Sequence, residues 1–561
     1  MNGMRFHFNR ICVAIAAMVG IAAPLVAADE LGLRAVIDRE VAAVWQKEKI
    51  QPAPPADDAE FLRRIYLDLC GQIATHDEAR DYLADKDPQK RSKLVDRLLA
   101  DPRYAQHQAD LWDMILFGRR PPGYDTDKRE PFQAWLRKQF ADDVPYDVWV
   151  SAILKAEGNT VDQGPPMYYV QYRNQPEDAT EAITQTFLGV QLQCARCHDH
   201  PYEEWKQVDF YGMAAFLARL EVVTVGKQGQ LNKFAIGEHS TGDILFTGPA
   251  KDATPGKKGD PIQPKLLLGA SPVQPALPKD FKEIKFAQNK EPEPPKWSRK
   301  NELAEWVADE KNPYFARAIA NRLWAQFMGR GIVHPVDNMS PANKPSHPQL
   351  LDELSKELIA QKFDLKKFIR ELVNTEAYRR SSRSMSAGSG DGEQFPQWFA
   401  AARTRPLSAE ELIESWRIAV GFEAAEAAAQ KTDNAKKDAA KPGPDHRFRP
   451  LGNGYLLQFF GQPNNGVGDF QGGMHEHLYL NNGPLGNVIV PGKGGLLDAL
   501  LKKETPIDER IDRLYLATLN RYPSAAERTK IGSYVAVGEP QELWRNVVWA
   551  LLTCSEFRFN H

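Results

Sequence analysis

Five consecutive residues carry the clearest chemistry in the chain: Cys194-Ala195-Arg196-Cys197-His198. Cys-x-x-Cys-His is the attachment signature of c-type haem. Two cysteines three positions apart on one helical turn can each form a thioether to a haem vinyl group. The next residue, His198, then offers its imidazole as the proximal iron ligand. The same donors allow other chemistry. With His200 they form a set suited to zinc, and the two thiols alone could close a redox or structural disulfide. The βαβ context of a thioredoxin-like motif is missing, however. As reduced packing residues they would do no chemistry at all.

The sixth position of a haem decides what it does. A Met or a second His closes an electron-transfer centre, whereas an open position admits small molecules. Candidates are Met213 on the helix after the motif, His107 and Met114 on one helical face with Leu111, and Met167, Met339 and His347. Each of these residue types is more commonly core or a hydrogen-bonded histidine, so the distal ligand stays unassigned.

Other polar clusters carry less. Asp199 and His200 could orient a ligand or relay protons, but His200-Pro201 more simply shapes a turn. Asp337, Asn338, Asn343 and His347 fall in a Pro-rich loop, where caps and Asx turns compete with a functional role. Met474-His475-Glu476-His477 has two histidines that would point the same way in a strand, without an evident third ligand. No nucleophile elbow, phosphate-binding glycine loop or zinc-protease helix motif is present. Whether the protein is an enzyme is not decided by these residues.

The elements that must position the motif read as helices. Leu33, Ile37, Val41, Val44 and Trp45 recur at helical spacing. Asp57 with Glu60 predicts a helix start, and Phe61, Ile65 and Leu69 share its face until Gly71. Thr75 and Glu78 form a capping box. Asp87-Pro88 and Asp101-Pro102 each place a cap before a first-turn proline. Asp178 predicts a helix carrying Ile183, Phe187 and Val190 that delivers the cysteines at its end.

The character changes at about residue 221. Val222–Val225 and Asp243–Thr247 predict strands, and Glu291-Pro292-Glu293-Pro294-Pro295 an exposed linker. A second helical run begins near Ser298, interrupted around Ala387–Gly392 and by the Ala/Lys-rich stretch from Ala424 to Pro444. The expected fold is mainly α. Residues 1–28 read as a signal peptide, 29–220 as a helical domain with the motif, 221–297 as a β-rich insertion and linker, and 298–561 as a helical C-terminal domain.

Composition agrees with a globular chain. Over 561 residues, 42% are hydrophobic and 26% charged, which excludes a disordered or collagen-like polymer. A net charge of −3 argues against a nucleic-acid partner. Arg5 and Arg10 precede an apolar run from Ile11 to Val26, and Val26-Ala27-Ala28 ends it in small residues. This is the order of a cleaved secretory signal, so a periplasmic or secreted location is expected, with no transmembrane segment after cleavage. Cleavage would leave Cys70, Cys194, Cys197 and Cys554, too few for a disulfide framework.

Several longer stretches resemble a known family. They are Thr186–Gln193 leading into the motif, Asp199-His200-Pro201, Trp205-Lys206-Gln207 and Asp209–Gly212. Later come Asn312–Ala316, Asn321–Trp324, Gly329-Arg330-Gly331, Val336-Asp337-Asn338, Pro345–Pro348 and Leu480–Pro484. Trp549–Leu552 with Ser555-Glu556-Phe557 completes the pattern. It resembles a family of exported planctomycete-type proteins with an N-terminal cytochrome-c-like domain and a C-terminal planctomycete-type domain, both of unknown function. The resemblance implies covalent haem c at Cys194, Cys197 and His198, with the redox partner unknown. It further implies an exported sulfatase-like protein as a neighbour by gene association. The expectation is an exported haem-c protein transferring electrons in the cell envelope. The alternative is a non-catalytic envelope scaffold or binding protein with a zinc- or disulfide-stapled Cys/His cluster.

Overall fold

A computed structural model describes residues 32–118, 129–383, 395–424 and 493–561, apart from residues 174, 230, 247–258, 270 and 284. Between 424 and 493 it describes residues 463–464, 467–468, 474–483, 485 and 489. The signal-type segment, Ala387–Gly392 and nearly all of the Ala/Lys-rich stretch lie outside the described residues.

The fold is mainly α, with two helical domains joined by small antiparallel β-hairpins. The first run is α1 (Leu33–Lys47), α2 (Asp58–Cys70), α3 (His76–Ala84), α4 (Lys90–Leu99), α5 (Pro102–Phe117), α6 (Glu130–Ala141), α7 (Tyr146–Lys155), α8 (Met167–Val170), α9 (Pro176–Ile183) and α10 (Gln207–Ala214). The hairpin of β1 (Leu220–Gln228) and β2 (Leu231–Glu238) follows, pairing Leu220 with Glu238 at one end and Gln228 with Leu231 at the other, with a bulge between Thr224 and Gly226. Of the second predicted strand, Asp243–Thr247, only Ile244–Leu245 is strand (β3), paired with β4 (Pro261–Ile262); Asp243 and Phe246 lie outside it, and Thr247 is not among the described residues. Helices resume with α11 (Arg299–Val307), capped by the Ser298 hydroxyl, then α12 (Phe315–Met328), α13 (Pro348–Ala360), α14 (Leu365–Val373), α15 (Phe395–Trp398) and α16 (Ala409–Val420).

Local chemistry explains most of the boundaries. Asp57 accepts from the Glu60 amide at the start of α2, and Gly71 ends it at φ 65°. Thr75 and Glu78 form the capping box of α3, and Asp101 caps α5 with Pro102 in its first turn. One expected cap differs. Asp87 turns back on the Gln89 amide at 2.7 Å, and α4 starts only at Lys90. The bond is the one Asp101 makes to the Arg103 amide, but here Pro88 and Gln89 close a turn, with the Lys90 amide on the Asp87 carbonyl at 3.1 Å, before the helix begins.

The two helical runs share a core. Ile37, Phe61, Trp149 and Phe187 pack in one cluster with Trp324, Leu354 and Phe368 from the second run. A second cluster joins Leu67 and Ile73 to Trp416, Leu514 and Phe557. Helix α2 therefore lies between both clusters, and every residue from Glu60 to Cys70 is buried. Its buried charged side chains are hydrogen-bonded, Arg63 to the Thr518 and Phe557 carbonyls rather than to a carboxylate. Arg64 binds Glu60 at 2.8 Å and the Tyr378 and Arg380 carbonyls at 2.8 Å. Asp68 accepts from Tyr378 at 2.8 Å and Asn560 at 2.7 Å.

Candidate functional site

The cysteine motif does not ride on the end of α9. That helix passes into a π turn, Thr184–Leu188, which stops at Gly189 with φ 67°. Residues 189–192 then run without regular structure into a separate 3₁₀ turn, Gln193–Arg196. The expected continuous helix is thus corrected. Gly189 takes up a left-handed conformation that side-chain-bearing residues resist, and this breaks the ridge before the cysteines. Asp178 is not the cap either; it lies in the first turn of α9, behind Pro176.

Cys194 lies within this 3₁₀ turn and Cys197 directly follows it, and both are exposed and free. The residues between them hold the turn down. Ala195 is fully buried. Arg196 pairs with Asp178 at 2.7 Å and Glu181 at 3.1 Å, while its carbonyl accepts from Gln207 and Tyr211 of α10, each at 3.3 Å. Asp199 caps α10 by accepting from the Gln207 amide at 3.0 Å. Three chemical side chains, Cys194, Cys197 and His198, are therefore exposed on a segment anchored through Ala195 and Arg196.

The two histidines beside this turn differ in what they can donate. His198 Nδ1 lies 2.8 Å from the Asp199 carbonyl oxygen. A carbonyl only accepts, so Nδ1 donates, and in the neutral ring Nε2 is then the nitrogen left to bind. This is the arrangement that orients metal-binding imidazoles in general. His200 is the reverse. Its Nδ1 accepts from the Glu203 amide at 3.0 Å and the Tyr202 amide at 3.3 Å, and its own amide donates to the Trp205 carbonyl. His200 shapes the turn through Pro201, as the sequence favoured.

Donor chemistry therefore fits a covalently held haem: two accessible thiols three positions apart, then an exposed imidazole. For zinc the fit is poorer. Among the described residues no group of three His, Cys, Asp or Glu side chains gathers at metal-binding distance.

The six distal candidates scatter. Met213 and Met167 are buried core residues. His347 is buried, its Nδ1 on Ser346 at 3.0 Å and its ring against Trp398 and Phe399, and burial pushes its imidazole down to about 4. Met339 rests on Gly189, just before the motif, and its amide donates to the Gly189 carbonyl at 2.8 Å. His107 and Met114 share the predicted face of α5 with Leu111, but that face lines a different cavity of about 230 Å³. Residues from both helical runs enclose this cavity, including Gly71, Arg405 and Glu411. No residue of the motif lines it.

Sequence reading missed that cavity because its walls come from α2, α5 and α16, far apart in the chain. It also left Asp337 as one polar loop residue among several. In the fold Asp337 is 3% exposed, and its carboxylate accepts from Gln185 and, at 3.4 Å, from Gln191. Asn343 takes the local role expected there, donating to the Asn338 carbonyl at 2.8 Å. The segment Met474–Asn482 is helical, so the strand geometry proposed for His475 and His477 is absent.

Two family models match the chain. PSCyt2, described as a protein of unknown function (DUF1549), matches residues 36–222. PSD1, described as a protein of unknown function (DUF1553), matches residues 299–450. No curated protein and no solved structure matches. The first match contains the cysteine turn, and the second begins at the first residue of α11.

Proposed function

Because the chain carries these two planctomycete-associated domains of unknown function, we propose that it is an exported haem-c-binding protein that transfers electrons in the cell envelope. The observation that carries this reading is the state of the turn: accessible Cys194 and Cys197 thiols followed by a His198 ring with Nε2 left to bind. Export supports it, since the N-terminal residues have the order of a secretory signal. Among the described residues, no helix is long and apolar enough to cross a membrane.

The residues divide the work. Cys194 and Cys197 would hold the group through thioethers, and His198 would supply the proximal nitrogen. Bound there, haem supplies a one-electron couple. The Asp199 carbonyl keeps the His198 ring from turning, and Arg196 keeps the turn against α9.

The test is an absorption spectrum of the protein matured in a periplasm with haem-attachment machinery, beside a Cys194→Ala, Cys197→Ala double variant. A Soret band that survives acid-acetone extraction, and is lost in the variant, is the expected result. Carbon monoxide binding by the reduced form then reports whether the sixth position is open. A colourless protein would overturn the reading and leave a scaffold or binding role.

A further inference from the structure

We propose that Asp337 is a positioning residue for the cysteine–histidine turn, so that the second helical domain holds the attachment site of the first in shape. The redox consequence of this role rests on the haem reading above.

The segment leading into the turn has little structure of its own. Residues 189–192 belong to no helix or strand. The Thr184 and Gln185 carbonyls accept from the Val190 and Gly189 amides at 3.0 and 3.2 Å, and the remaining hold comes from residues 322–339. Met339 donates its amide to the Gly189 carbonyl at 2.8 Å, and its side chain fills the space a Cβ on Gly189 would need. Arg322, buried on α12 beside Asp337, donates to the Thr186 carbonyl at 3.2 Å. Asp337 itself receives Gln185 on one carboxylate oxygen and Gln191 on the other.

Asp337 also sets a direction. A carboxylate only accepts, so Gln185 must turn its amide nitrogen toward it. The Gln185 carbonyl oxygen is then left to accept from Gln193 Nε2, at 3.1 Å. Gln193 is the first residue of the 3₁₀ turn and precedes Cys194. The chain Asp337–Gln185–Gln193 thus runs one way only, from a buried acceptor in the second domain to the start of the motif. An asparagine at 337 fills the same space but allows both amides to reverse.

The design of the test follows from that polarity. Hydrogen exchange of residues 189–198 is measured on the full chain as wild type, Asp337→Asn, and the double variant Asp337→Asn, Gln185→Glu. In the double variant the carboxylate introduced at position 185 is the obligate acceptor, both for the amide introduced at position 337 and for Gln193. The direction of the Gln193 bond is thereby restored. Loss of one directed hydrogen bond corresponds to about ten-fold faster local exchange in the single variant, with recovery in the double variant. Midpoint potential, read on the same samples, should shift in the single variant and return in the double. Unchanged exchange at 189–198, a rise spread evenly over the chain, or no recovery in the double variant would each overturn the role. Haem content by pyridine haemochrome is scored separately, so a colourless protein removes the haem reading without deciding the exchange result.

Discussion

The Arg196 guanidinium lies 2.7 Å from the Asp178 carboxylate, tying the residue between the two cysteines to the first turn of α9. Both side chains are more than one-third exposed, so solvent weakens the pair. Arg196→Ala is therefore expected to lower global stability by no more than about 1 kcal/mol in denaturant titration. The local effect should exceed the global one. Alkylation of Cys194 and Cys197 in the haem-free chain should speed up by more than the stability change accounts for.

His198 and His200 should separate cleanly in mutagenesis. His200→Asn can still accept from the Tyr202 and Glu203 amides, so haem content should stay within about two-fold of wild type. His198→Ala removes the only ring beside the motif with Nε2 left open, and should abolish the proximal-histidine spectrum. Equal losses in both variants would point to a shared metal site instead.

Acid stability should fall in two stages. His107 is pushed down to about 4 by burial, with Arg405 assisting and Glu411 opposing. Its neutral form is preferred in the folded chain, so its contribution is complete above its unfolded value near 6.5 and fades as pH drops to about 4. For Glu411, burial opposes ionisation, but the Arg405 guanidinium, joined at 2.8 Å through two hydrogen bonds, lowers the carboxyl to about 2. That contribution is present above about 4.5 and lost as pH falls toward about 2. Thermal melts should show His107→Asn flattening the first stage only. Glu411→Gln should flatten the second, and should cost less than the about 3–5 kcal/mol of a fully broken buried pair at pH 7, because Arg405 keeps the buried Asp68 carboxylate at 3.1 Å.

Gly71 and Gly421 form a matched pair for measuring a clash. Both end helices at φ 65°. A Cβ on Gly71 would meet His107 Nδ1 at 2.2 Å, whereas the nearest atom to one on Gly421 lies at 3.4 Å. Gly421→Ala should cost the backbone penalty alone, about 1–2 kcal/mol. Gly71→Ala should cost clearly more and displace the His107 ring, visible as a changed titration of that imidazole. Equal costs would mean that the ring yields freely.

Much of the first helical run was legible from short patterns, because a cap or a stop is written in adjacent residues. Asp57 with Glu60, Thr75 with Glu78 and Gly71 all act within four positions of where they stand. The face of Phe61, Ile65 and Leu69 could be read the same way. Its opposite face could not. Arg63, Arg64 and Asp68 look like the solvent side of an amphipathic helix, yet all three are buried against partners hundreds of residues away. The motif was equally plain in sequence, but the break at Gly189 and the hold of Asp337 were not. The hold of Asp337 depends on a loop from the second domain lying against the first.

Arg63 of α2 donates to the Phe557 carbonyl at 2.6 Å across 494 positions of sequence. A contact of such high order is made late, since loop-closure entropy is spent before it is returned. As synthesis proceeds, residues 193–198 emerge long before the partners that bury α2 exist. The thiols therefore pass through a long interval on an unfinished chain, and any chemistry that needs an extended substrate has that interval in which to occur.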